Sequence, residues 1–169
     1  MKTSFLPKGL ALKKVAREPR WSEALAQASI NGPEFKVLVE YTAFQGFQDA
    51  LIDVAKRSQT VKNDEDMKVV AVRPLIEKVL KDWSGATLQN INAILRSDAV
   101  IRPESDDPAE MASFIERYVT NQEELPFSPE FAAYVWVNSY EDKLRGRVFQ
   151  MLQGWADDLT AEVTRGKGA

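Results

Sequence analysis

Side chains alternate from Phe35 to Thr42: Phe35, Val37, Val39 and Tyr41 fall on one side, and Lys36, Leu38, Glu40 and Thr42 on the other. A period of two belongs to a strand with one buried face. A strand alone leaves its backbone donors and acceptors unpaired, so this one needs a neighbour. The candidates are Val69 to Val72, a piece of the N-terminal arm, or the same strand in a second copy of the chain.

Elsewhere the apolar positions recur at three and four. Ser22 is placed to cap a short helix carrying Leu25 and Ala28, stopped by Asn31-Gly32. Phe47, Leu51, Val54 and Ala55 share one helical face. After a polar, acidic link (Asn63, Asp64, Glu65, Asp66) comes a helix lined by Leu75, Ile76, Val79, Leu80 and Trp83, with Pro74 as its natural first residue. Thr87 opens a further turn or two that buries Leu88, Ile91, Ile94 and Leu95, and the Pro-rich tract from Arg102 to Asp107 reads as loop. Asp107-Pro108-Ala109-Glu110 combines an N-cap acid, a first-turn proline and a glutamate three residues after the cap. Met111, Phe114, Ile115 and Tyr118 continue it at helical spacing. The longest helix runs from about Ser139 to Val163, with Leu144, Val148, Met151, Leu152, Trp155 and Leu159 as its stripe. The pattern predicts a mainly α fold with a small β element near the N-terminus (α+β). A compact helical domain over residues 21–163 carries a basic arm, 1–20, and a flexible C-terminal tail, 164–169.

Composition narrows the chemistry more than the fold. With 169 residues, 44% hydrophobic and 28% charged, the chain holds enough apolar material for one real core. A net charge of -3 argues against nucleic acid as a partner, because no cation excess is available to release counterions. The sequence has no Cys and no His. That excludes thiol catalysis, thiolate metal sites and disulfides, and removes the usual general base near neutral pH. The acidic link lacks the spacing and glycine of a calcium loop, and a solvated connector explains it more cheaply than a carboxylate metal site on Asp64 and Asp66. Ser84 beside Gly85 does not make a nucleophile elbow, and no glycine-rich phosphate loop is present. No catalytic residue, cofactor site or metal site is predicted. The broken apolar residues of the first dozen do not form a signal peptide, and no apolar run reaches the length of a membrane span, so a soluble, intracellular chain is expected. Lys2, Lys8, Lys13, Lys14, Arg17 and Arg20 against Glu18 make the arm a solvated terminus or a contact for an acidic partner.

One segment does not fit an ordinary surface helix. Ser128 and Pro129 read as N-cap and first residue, but Phe131 to Val137 is then apolar all round. Such a helix must be wrapped by its own domain or by another chain. Core packing is the default for Trp21, Trp83 and Trp155. For Trp136, inside the apolar helix, docking to a partner weighs nearly as much.

Two stretches and their order carry a resemblance. Lys81-Asp82-Trp83-Ser84-Gly85-Ala86-Thr87 is followed by Leu88, Asn90 and Asn92; Glu124-Leu125-Pro126-Phe127-Ser128-Pro129-Glu130 is followed by an apolar helix and then a charged amphipathic one. Together, over roughly residues 35–155, they resemble the tail assembly chaperones of long-tailed bacteriophages. Several of those families carry an early strand, a helix ending in Asp-Trp-x-Gly and a Leu/Ile-Pro-aromatic-Ser/Thr-x-Glu helix start. Ala86, where a large aliphatic residue is common, and Phe131, where Asn is common, depart from the pattern.

The resemblance implies a non-catalytic protein that coats the tape measure protein and recruits tail tube subunits during virion assembly. It would work in the host cytoplasm and be absent from the mature virion. Its expected protein-binding residues are Phe131, Tyr134 and Trp136, with Trp83 and Phe127 as structural members of the same region. The strand's need for a neighbour also leaves room for a homo-oligomer. The alternative is a structural virion component, a tail or connector subunit, which shares the absence of catalytic residues and the strand that needs a partner.

Overall fold

A computed structural model describes residues 18–42, 44–59 and 65–168. Most of the basic arm, residues 1–17, and the first half of the acidic link, Asn63 and Asp64, lie outside the described residues.

The alternating segment forms β2, Lys36–Val39, with Val37 and Val39 fully buried. The chain itself supplies a neighbour on each side. β1, Arg20–Trp21, and β3, Leu80–Ser84, both pair with β2 antiparallel, giving the order β1-β2-β3. Of the three neighbours expected from sequence, only the end of the arm is used; Val69 to Val72 is helical, and no second copy is needed.

The third strand replaces the end of an expected helix. α2 runs Glu65–Val79 and stops at Leu80, with Pro74 inside it rather than at its start. Leu80 and Trp83 looked helical because they are apolar and three apart, and in the structure both are buried. In a regular strand an odd separation would put them on opposite faces. The register shifts between Leu38, opposite Asp82, and Val39, opposite Leu80, so Lys81 is an extra residue in β3. This bulge returns Leu80 to the buried face. Outside the ladder, Asp82 Oδ1 accepts from the backbone N–H of Trp83 at 2.8 Å, and Lys81 pairs with Glu40 at 2.9 Å.

Ser22 caps no helix. Its hydroxyl accepts from the Val37 N–H at 3.0 Å and donates to the Glu23 carbonyl at 2.8 Å, extending β1 into an irregular loop. That loop holds to β2 through the Leu25 N–H to Phe35 O and Phe35 N–H to Ala26 O bonds. A side-chain hydroxyl near a strand end competes with a helix start, and here the strand wins.

The remaining elements follow the helical pattern. α1 is Phe44–Gln59, α3 Leu88–Ile94 behind its N-cap Thr87, α4 Pro108–Phe114 behind its N-cap Asp107, and α5 Pro129–Asn138 behind its N-cap Ser128. α4 continues as a π-helical turn, Ile115–Thr120. After α5 a 3-10 turn, Tyr140–Asp142, contains Glu141 at φ 49° and Asp142 at φ 51°, a left-handed pair that redirects the chain. α6, Lys143–Gly168, therefore starts four residues after Ser139 and carries residues 164–168, expected as a tail, as helix. The fold is mainly α with a small three-stranded antiparallel sheet, an α+β architecture.

The core lies where the sheet, α2, α5 and α6 meet, and Phe35, Val37, Phe47, Ile76, Ile91, Leu144, Leu152 and Trp155 are sealed within it. Trp155 is 1% exposed and carries the Arg20 guanidinium over its ring at 4.3 Å, whereas Trp21 remains 48% exposed on the two-residue edge strand.

A buried asparagine joins the loops at one end. Asn90 Oδ1 accepts from the Ala28 N–H at 2.8 Å, and its amide donates to Pro33 O at 2.8 Å and Gly85 O at 2.9 Å. Gly85 sits at φ +69°, and a Cβ there would collide with the Glu34 carbonyl. Gly85→Ala is expected to destabilise the fold by at least about 2 kcal/mol, adding left-handed strain to the collision. Asn90→Ala should cost a similar ~2 kcal/mol by stranding the buried Gly85 carbonyl and releasing the part-buried Ala28 and Pro33 backbone groups. Urea denaturation of both variants measures each loss; a change under about 0.5 kcal/mol in either would contradict this geometry.

Candidate functional site

The two stretches that carry the resemblance, some forty residues apart, fold into one unit. β3 delivers Trp83 to the core, Gly85 turns the chain, and Thr87 caps α3 by accepting from the Asn90 N–H at 3.2 Å. The second stretch crosses this turn. Thr87 and Glu124 form an isolated antiparallel bridge, the Leu125 N–H donates to Ala86 O at 2.8 Å, and Glu124 Oε1 accepts from the Gly85 N–H at 2.6 Å.

The Trp83 indole closes the unit. Its Nε1–H donates to Leu125 O at 2.8 Å, and its ring meets Phe127 and Phe131 edge-on, with centroids at 5.3 and 5.1 Å. Phe35 adds a third edge contact at 5.8 Å. A buried indole needs an acceptor for its one donor, and edge-to-face rings add about 0.5–1.5 kcal/mol per pair beyond their buried area. Trp83 is only 5% exposed and Phe127 is half-buried, and both pack within this unit.

α5 starts from this unit. The Ser128 hydroxyl accepts from the Phe131 N–H at 3.0 Å and Pro129 occupies the first turn. Ala132 and Ala133 are fully buried, and such small side chains let α2 pack closely along α5. Val135 and Trp136 complete the covered side, and buried Asn138 donates to Tyr134 O and accepts from Arg96. The apolar helix is wrapped by its own domain on most of its circumference. What remains half-exposed is Phe131, Tyr134 and Val137, with Phe131 and Tyr134 stacked at 6.4 Å and the Tyr134 hydroxyl donating to Ala99 O at 2.7 Å.

Two apolar grooves border α2. The first, about 570 Å³, is lined by Val69, Val70 and Arg73 of α2, by Ile101, and by Phe131 and Tyr134 of α5. The second, about 810 Å³, lies among α1, α2, α6 and the end of α5, with Leu51, Ile52, Val72, Val137, Gly146 and Phe149 around a floor that includes Trp136. The expected binding residues are thus divided, Phe131 and Tyr134 in one groove and Trp136, 5% exposed, in the other. Val70 in the first and Ile52 in the second stand 59% and 53% exposed. Sequence reading missed the contributions of α1 and α6. Ile52 and Phe149 fall just off the buried stripes of their helices, and that displacement was the available signal.

Among the described residues no three carboxylates or other ligand groups cluster as a metal site, and every buried side-chain nitrogen or oxygen has a hydrogen-bond partner. Among the described residues two titrations move, both on the surface: donating to the Glu123 carboxylate raises Arg117, and a hydrogen bond to the Glu141 carboxylate raises Tyr140. No helix among the described residues is long and apolar enough to cross a membrane. No protein-family model matches the chain, nor does any curated protein or solved structure.

The indole's two contributions are separable by substitution. Trp83→Phe keeps an aromatic ring but leaves the Leu125 carbonyl unpaired, an expected loss of about 1–2 kcal/mol. Trp83→Ala also empties the space among three rings, with a loss of about 3–5 kcal/mol. Chemical denaturation of the two variants should keep that order; equal losses would mean that the ring packing adds nothing beyond the hydrogen bond, and an unchanged stability in Trp83→Phe would mean the hydrogen bond adds nothing.

Proposed function

We propose that this chain is a tail assembly chaperone of a long-tailed bacteriophage. In this reading it binds the tape measure protein in the host cytoplasm, brings tail tube subunits to it, and leaves before the virion is complete. The observation that carries it is the union of the two stretches: Trp83, Gly85, Glu124 and Leu125 are bonded to one another, so their order and separation answer to one folded unit. The apolar grooves beside α2 support a binding role, since exposed apolar surface of this kind marks contact sites. The composition supports it too, because a chain without His or Cys lacks the commonest catalytic side chains. Many copies along one elongated partner would make weak individual contacts sufficient.

The alternative of a structural tail or connector subunit drew partly on β2 needing a neighbour from another copy. β1 and β3 meet that need within the chain, which favours the chaperone reading.

Co-expression with the tape measure and tail tube proteins of the same genome tests the proposal. The tagged chain should recover the tape measure protein, and mass spectrometry of purified virions should not find the chain. Recovery of neither protein sinks the reading, and stoichiometric presence in particles transfers it to the structural alternative.

A further inference from the structure

The larger groove carries an observation that the fold itself does not explain. Gly146 lies inside α6, yet a Cβ built there meets nothing within 4 Å, and its backbone is not in the left-handed region. Among the described residues neither crowding nor conformation calls for glycine, which weakens a helix interior relative to alanine. Glycine's other use is to let a second backbone approach closely. Gly146 faces the groove between α1 and α6, where Ile52 is 53% exposed and Phe149 36%.

Charge specifies what could approach. Among the described residues lining the groove three are ionisable, and of these Asp142 is neutralised by Arg145 at 2.9 Å. Lys68 makes no ion pair with any described residue. Among its described lining residues the groove is therefore apolar with one cation, Lys68, left over at its rim, on a chain whose net charge is -3. The smaller groove differs: its Arg73 is paired with Glu77 at 3.2 Å, and Glu130 stands on its rim.

We propose that the groove between α1 and α6 receives an amphipathic helix of a partner protein, with a small residue against Gly146 and acidic side chains toward Lys68. The proposal rests on reading the chain as a binding protein, and it adds the location and the chemistry of the bound segment. A helix is the occupant of matching form. α1 and α6 offer apolar side chains one turn apart, as at Leu51 and Ala55, and a glycine opposite a small residue brings helix axes close.

The probe is a synthetic amphipathic helix of about 18 residues with a leucine stripe, one alanine within it and glutamates on both flanks, compared with the same peptide flanked by lysines. The glutamate peptide should shift the methyl resonances of Leu51, Ile52 and Val72 and bind at least about ten-fold more tightly than the lysine peptide. Lys68→Glu should remove that preference. Gly146→Leu should abolish binding while raising the melting temperature. Gly154→Leu, at a second α6 glycine whose Cβ would also meet nothing, should raise the melting temperature and bind as the unaltered chain does. Equal binding by the two glycine variants, or no shift at the groove methyls, overturns the proposal. So does a groove whose methyl resonances move when residues 1–17 are deleted, or a self-association that Gly146→Leu removes, since each assigns the groove to this chain. Tape measure protein recovered equally by Gly146→Leu and the unaltered chain overturns the groove and leaves the chaperone reading standing. A chain that binds the glutamate peptide but no tape measure protein does the reverse.

Discussion

The burial of one indole sets the arrangement of the rest. Trp83 arrives on β3, stands among Phe35, Phe127 and Phe131, and spends its single donor on the Leu125 carbonyl. Those contacts fasten the sheet to the segment that enters α5, so the position of α5 follows from that of the strand. α5 in turn seats α2 against Ala132 and Ala133. The grooves on either side of α2 are what is left when a narrow contact between small residues brings two helices together.

How much of this was legible depended on whether the deciding interaction was local. Caps were readable, because Thr87, Asp107 and Ser128 act on backbone groups two or three residues away. The alternation of Val37 and Val39 was readable because one residue's face fixes the next. Leu80 and Trp83 were misread because a bulge gave a strand the spacing of a helix, and nothing in the local sequence declares a register shift set by β2. Ser22 was misread because its hydroxyl is claimed by Val37, fifteen residues away.

The site divided along the same line. The apolar run from Phe131 to Val137 was visible as a helix needing cover, but which chain covers it depended on α2 and the core, and Trp136 is sealed chiefly by its own domain. The α1 and α6 sides of the larger groove were invisible, since Ile52 and Phe149 belong to helices whose buried stripes point elsewhere. An exposed residue beside a stripe has meaning only once the neighbouring helix is in place.

The edges of the sheet bear on how many copies could work side by side. β1 offers only two residues, and on the far side of β3 the Trp83 N–H is already held by Asp82, with Lys81 as the bulged residue beside it. A short edge, a claimed donor, a bulge and a lysine are the devices by which sheets avoid recruiting foreign strands. The sheet is thus closed to growth at both ends. Strand-to-strand knitting of one copy onto the next, the route by which open sheets grow into fibres, is thereby disfavoured.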